Sequence, residues 1–103
     1  MNIAKMLKEA QRMQERMADA QAELSTKTIE ATSGGGKVVV TATGSGDITS
    51  IKIDPQVVDP TDVEMLEDLV LSAVRQAVED AKKMAGSEMG KLTGGMKIPG
   101  LSM

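Results

Sequence analysis

The chain has 103 residues, a formal net charge of −3, and no cysteine, histidine, phenylalanine, tyrosine or tryptophan. This length corresponds to one domain, and the missing residue types exclude disulfides, zinc–thiolate sites and histidine-based catalysis. Aromatic side chains supply much of the buried area of most cores. A core without them predicts that the chain self-associates.

The first predicted element is a long helix over residues 3–24. No glycine or proline interrupts it, and at 1.5 Å per residue it is roughly 30 Å long. Its apolar residues recur at alternating steps of three and four, which is a heptad seam. The seam consists of Ile3, Met6, Ala10, Met13, Met17, Ala20 and Leu24. Such a helix packs either on its own sheet or on another helix of the same or a second chain, and the narrow seam favours a helix partner.

Residues 26–53 predict three strands in an antiparallel meander. The β-type runs TKTIEAT, KVVVTAT and ITSIKI are separated by the short glycine-rich linkers SGGG and GSGD, as hairpin turns require. Ile48 is out of phase with Ile51 and Ile53, which predicts either a bulge near Thr49 or burial of both faces. A phosphate-binding loop is not indicated, because Lys37 is followed by a strand and not by a helix.

Helical spacing returns over residues 59–85. The apolar positions are Val63, Leu66, Val70, Val74, Ala77, Ala81 and Met84. Asp59 is the predicted N-cap, Pro60 the first helical residue, and Asp62 lies in the first turn. Gly86 either ends the helix or is tolerated within it, and residues 92–103 predict a flexible tail. The fold is therefore predicted as α+β, in the order α-β-β-β-α, with residues 1–103 forming one domain.

Catalytic and metal-binding interpretations find little support. Asp54, Asp59 and Asp62 could hold a hard cation, but a turn and a helix start explain them more simply. Serine side chains lack a histidine to activate them. We expect no enzymatic activity, no cofactor, no metal and no small-molecule substrate. No apolar run resembles a signal peptide or a membrane span, so a cytoplasmic location is expected.

The basic residues are concentrated in two places. On a helical wheel, four of them share an arc of roughly 80° on the first helix, away from the seam. Four more follow residue 81, namely Lys82, Lys83, Lys91 and Lys97, whereas segment 54–68 is acidic. If the free helix ends carry these charges, they form positive tips that contact DNA phosphates without reading bases. The predicted DNA-binding residues are Lys5, Lys8, Arg12, Arg16, Lys82, Lys83 and Lys91.

Three stretches resemble the YbaB/EbfC family of bacterial nucleoid-associated proteins. They are MLKEAQRMQERMADAQAEL, the run from GGGKVVVTATGSGD through IKIDPQVVDPTDVEMLEDL to AVEDA, and LTGGMKIPGL. The resemblance covers almost the whole chain. It implies an α-β-β-β-α protomer, an intimate homodimer with protruding helices, and binding of double-stranded DNA with little sequence specificity. It also implies a role in nucleoid organisation or gene regulation.

An alternative function remains open on the residues alone. The Met-rich helix faces could bind another protein, because methionine adapts to varied partner surfaces. DNA binding and protein binding are distinguished by whether the protein shifts duplex DNA at low salt.

Overall fold

The protein was analysed as a computed structural model, which describes residues 2–92. Their order is helix, three strands, helix, which confirms the predicted α+β class. The elements are α1 (Ile3–Thr26), β1 (Thr28–Ser33), β2 (Val38–Thr43), β3 (Ile48–Ile53), a 3-10 turn (Pro55–Val57) and α2 (Val63–Leu92). Leu92, the first residue of the predicted tail, instead belongs to α2, and residues 93–103 of that tail lie outside the described part.

The sheet is an antiparallel meander in the order β1-β2-β3. Thr41 pairs with Ser50 and Ala42 with Ile48, so Thr49 is the extra residue of a bulge, as predicted. The bulge restores the alternation of β3. As a result, Ile48 shares a sheet face with Ile51 and Ile53.

Helix α2 covers only part of that face. Its buried residues Ala73 and Ala77 pack on Ala31 of β1 and on Val38 and Val40 of β2. Alanine lets the helix lie close to the strands, because it has only a methyl group to accommodate. Strand β3 lies beyond this contact, and its three isoleucines stay exposed.

The start of α2 differs from the sequence-based expectation. Asp62 is the N-cap, with its carboxylate accepting a hydrogen bond from Met65 N at 3.2 Å. Asp59 instead accepts from the amide and the hydroxyl of Thr61, within a turn closed by Asp62 N donating to Asp59 O. The prediction was wrong because Pro60 is equally suited to the second position of a turn. At the other end, Gly86 lies within the helix.

Helix α1 packs on the rest of the chain only through its C-terminal part. Leu24 is 3% exposed and lies beside Gly44, which Met84 of α2 also approaches, and Ala20 is also buried. Here α1 and α2 run antiparallel, which confirms a helix partner for this end of the seam. We call the preceding residues 3–15 the arm and the rest of the described chain the body.

The arm extends roughly 20 Å at 1.5 Å per residue. It gives the molecule extents of 71 × 29 × 16 Å and a radius of gyration of 19.5 Å. A compact chain of this length has a radius of gyration of about 13 Å. The seam prediction therefore holds for the root of α1, whereas Ile3 and Met6 on the arm are 69% and 54% exposed.

Candidate nucleic-acid interface

The arm presents a basic face to solvent. Lys5, Lys8 and Arg12 are all exposed, and among residues 2–92 none of them forms an ion pair. On an ideal helix they lie roughly opposite the apolar seam. Residues 2–12 contain one acidic residue, Glu9. The face therefore keeps an uncompensated positive charge.

The tip of the arm reinforces this charge. The Asn2 side chain caps the helix by accepting a hydrogen bond from Lys5 N at 3.3 Å, and no acidic residue occupies the first turn. The N-terminal end of a helix carries partial positive charge from its unpaired amides. The partial charge of the helix end and the charges of the basic side chains are therefore both positive at the tip.

Arg16 and Lys91 come together at the root of the arm. Both line a groove of about 230 Å³ between α1 and α2, with Asp19, Glu23 and Glu88 among the other lining residues. The Lys91 ammonium lies 3.6 Å from a Glu88 carboxylate oxygen. Nearby carboxylates therefore offset the charge of these two predicted residues.

Lys82 and Lys83 occupy a third position. They are exposed but follow directly after Ala81, which is buried in the body. Because α2 continues through Gly86 to Leu92, they lie about 15 Å before its described end. The sequence suggested that Lys82 and Lys83 lie at a free helix end, but they lie within α2. Their contact with DNA stays a prediction.

A contact that the sequence analysis missed joins the two helices. The Lys27 ammonium, just after α1, donates to Glu88 of α2 at 2.6 Å. The hydrogen bond from Lys27 holds the pKa of Glu88 below its ordinary value, and the same bond raises the pKa of Lys27. The partners are 61 residues apart, so no local pattern predicts this pair.

The acidic segment after β3 is engaged in local structure. Asp54 accepts from Gln56 N at 2.9 Å, which is the main reason that its pKa is lowered, and it lies 3.4 Å from the Lys37 ammonium. Lys37 also donates to Gln56 at 2.6 Å. Gly34, Gly35 and Gly36 adopt φ values of +61°, +66° and +89°, as a tight turn requires. The Lys37 side chain thus contacts the neighbouring turn that contains Asp54 and Gln56. Among residues 2–92, no acidic cluster suited to a metal ion occurs.

An uncovered apolar groove lies at the other side of the body. It measures about 450 Å³ and runs between β3 and α2, where Ile53, Leu66, Val70, Leu71 and Val74 line it together with Glu67. Sequence periodicity predicted most of these residues to be buried. It could not show that α2 shifts toward β1 and β2 and leaves this side open.

Comparisons with known proteins agree with this architecture. A family model described as the YbaB/EbfC DNA-binding family matches residues 1–96. A nucleoid-associated protein of Thermoanaerobacter pseudethanolicus is 56% identical over 97% of this chain and 90% of its own length. One from Pelotomaculum thermopropionicum is 51% identical over 97% and 95%.

A solved structure shares the fold. The crystal structure of an uncharacterized protein from Helicobacter pylori superposes with a TM-score of 0.82, covering 91% of this chain and 99% of that one, at 18% identity. Within residues 2–92, neither helix has the length and apolarity to cross a membrane. The family model and the close relatives place the chain in the YbaB/EbfC DNA-binding family.

Proposed function

We propose that the protein binds double-stranded DNA as a homodimer with little sequence specificity. In this role it is a nucleoid-associated protein of the cytoplasm that influences nucleoid organisation and gene expression. Besides family membership, one observation carries the proposal: the arm holds Lys5, Lys8 and Arg12 exposed and unpaired within the described chain.

The chemistry of the arm suits phosphate. Lysine and arginine neutralise backbone phosphates and release counterions, which supplies affinity that does not depend on sequence. The chain has no aromatic residue with which to stack on bases. Arg16 and Lys91 at the root, and Lys82 and Lys83 on the body, extend the proposed contact surface, with weaker contributions from the root because carboxylates surround it.

The apolar groove supports the homodimer. Ile48, Ile51 and Ile53 are uncovered on β3, and beside them α2 exposes Leu71. In a two-fold dimer, the β3 face of each chain covers α2 of the other, so one self-complementary patch serves both partners. Two arms on one particle also increase affinity for a long duplex through effective concentration.

The proposed function is tested by duplex-binding assays over a series of salt concentrations. Replacing Lys8 and Arg12 together by Ala weakens binding to all sequences alike. Each lost phosphate contact makes the slope of log K against log salt shallower by about 0.9. Lys52→Ala on the sheet is the matched control and leaves the slope unchanged. Replacing Lys82 and Lys83 by Ala measures the contribution of the body.

The outcomes separate the candidate functions. If the Lys8/Arg12 variant keeps the wild-type slope of log K against log salt and Lys52→Ala abolishes binding, the DNA interface lies on the sheet and not on the arm. If the wild type binds no duplex even at low salt, the alternative applies, in which the exposed Met6 and Met17 side chains contact another protein.

A further inference from the structure

The apolar seam of α1 loses its cover at a defined place. Ala20 and Leu24 on this seam are buried, with α2 alongside them. Toward the tip the seam continues through Met17, Met6 and Ile3, which are exposed, and Met13, which is half-buried. The change occurs opposite Leu92, the last described residue of α2, which lines one groove with Arg16 and Ala20. The seam is therefore covered as far as α2 is described and open beyond it.

The direction of the chain identifies a candidate cover. Because α1 and α2 run antiparallel here, the axis of α2 at Leu92 points toward the tip of the arm. The next eleven residues read TGGMKIPGLSM and contain four large apolar side chains, Met96, Ile98, Leu101 and Met103. They contain no acidic residue and one basic residue, Lys97.

We propose that residues 93–103 bind along the apolar face of the arm of their own protomer, with Ile98 and Leu101 as the main contacts. The reach is sufficient, since eleven residues span up to about 36 Å and the arm is roughly 20 Å long. On an ideal helix, Glu9 borders the apolar face and is available to Lys97. Lys5, Lys8 and Arg12 lie beyond Glu9, farther from the apolar face, and stay accessible. Binding of the segment is therefore independent of DNA binding.

The physical role of the contact is to stabilise the arm. An isolated helix shorter than about 12–15 residues is only marginally stable in water, because nucleation is costly and no tertiary packing offsets this cost. The arm is about this long. Burying one aliphatic side chain contributes roughly 1.5–3 kcal/mol. A bound segment therefore keeps the arm helical to its tip.

The absence of cysteine allows a direct test on the full-length chain. Ser102→Cys carries a single nitroxide label, and the methyl groups of methionine report proximity to it by NMR line broadening. We expect strong broadening of Met6, Met13 and Met17 and none of Met65, which lies near the other end of α2. Equal broadening of all four, or none on the arm, overturns the proposal.

A mixed sample tests which protomer supplies the segment. Spin-labelled chains without isotope are mixed with isotope-labelled chains that lack the nitroxide. The proposal requires the arm signals to stay sharp in this sample. Undiminished broadening assigns the face to the segment of another copy and overturns the proposal.

Hydrogen exchange tests the stabilising role. Replacing Ile98 and Leu101 by Glu accelerates amide exchange in the arm about tenfold or more, because the local opening equilibrium loses the apolar contact. The matched variant replaces Thr93 and Ser102 by Glu, which leaves Ile98, Leu101 and Lys97 intact, so the arm exchanges nearly as in the wild type. Equal acceleration in both variants, or no acceleration in either, contradicts the proposal.

Discussion

Helix α1 runs through both the arm and the body, and its two ends are stabilised differently. In the body, Leu24 of α1 is buried beside Gly44, and Lys27 just after α1 forms an ion pair with Glu88. On the arm, Ile3 and Leu7 are exposed. Helix α1 therefore has two roles: its C-terminal end anchors it to the body, and its N-terminal end presents a charged surface to solvent.

Breaking the proposed dimer has the largest effect, and it acts on the body alone. Ile53→Asp places a carboxylate in the apolar groove, where a buried unpaired charge is strongly unfavourable. We expect the mass in solution to fall from twice the 10.8 kDa chain mass to 10.8 kDa. Light scattering measures this, and Lys52→Asp, on the neighbouring exposed residue of β3, is the control that stays dimeric. A monomeric wild type contradicts the dimer.

Two identical substitutions on α1 compare anchoring with presentation. Leu24 is 3% exposed and Leu7 is 60% exposed. Leu24→Ala removes a buried side chain and lowers the free energy of unfolding by about 3 kcal/mol, within the range for such cavities. Leu7→Ala changes it by no more than about 0.5 kcal/mol. Chemical denaturation measures both values. Equal losses would show that the arm is anchored in the way that the body is.

The secondary-structure elements could be predicted from the sequence, but the point at which the seam of α1 becomes exposed could not. The periodicity predicted two helices and three strands. The phase of Ile48 predicted either a bulge near Thr49 or burial of both sheet faces, and the structure has the bulge. These features depend on local pattern. The pattern could not show that only Ala20 and Leu24 of the seam are buried, because burial depends on where α2 passes. The same holds for the open groove beside Ile53.

The candidate site follows the same rule. Lysine and arginine spacing placed Lys5, Lys8 and Arg12 on one face of a helix, and the structure places them on the arm. The position of Lys82 and Lys83 was not predictable, since it depends on whether Gly86 ends α2. Gly86 costs a helix about 1 kcal/mol, and the helix continues through it.

Two glycines give effects of opposite sign and sharpen the comparison further. A Cβ at Gly44 would lie 2.8 Å from the backbone oxygen of Leu24, whereas at Gly86 nothing described lies within 4 Å. Gly44→Ala therefore pushes α1 away from the sheet and costs about 1–3 kcal/mol. Gly86→Ala raises stability by about 1 kcal/mol through helix propensity. Thermal unfolding measures both. Destabilisation by Gly86→Ala would indicate that this glycine serves as a bend.

The smallest effect concerns the ion pair between Lys27, just after α1, and Glu88 of α2. The pKa of Glu88 is lowered in the folded chain, mainly by the hydrogen bond from Lys27. A carboxylate with a lowered folded pKa stabilises the fold above its ordinary pKa, about 4.3, and loses that contribution as pH falls through the lowered value. Glu88→Gln should therefore lower the unfolding temperature by a constant amount above about pH 5.

Below that pH, the difference between Glu88→Gln and the wild type should shrink toward zero, because both side chains are then uncharged. Glu79→Gln, an exposed position of the same helix, is the matched control. Calorimetry over pH 3–7 measures the three proteins. If the Glu88→Gln difference persists undiminished at the lowest pH, the contact acts through packing and not through charge. If Glu79→Gln reproduces it, the effect belongs to the net charge of α2 and not to the contact between Lys27 and Glu88.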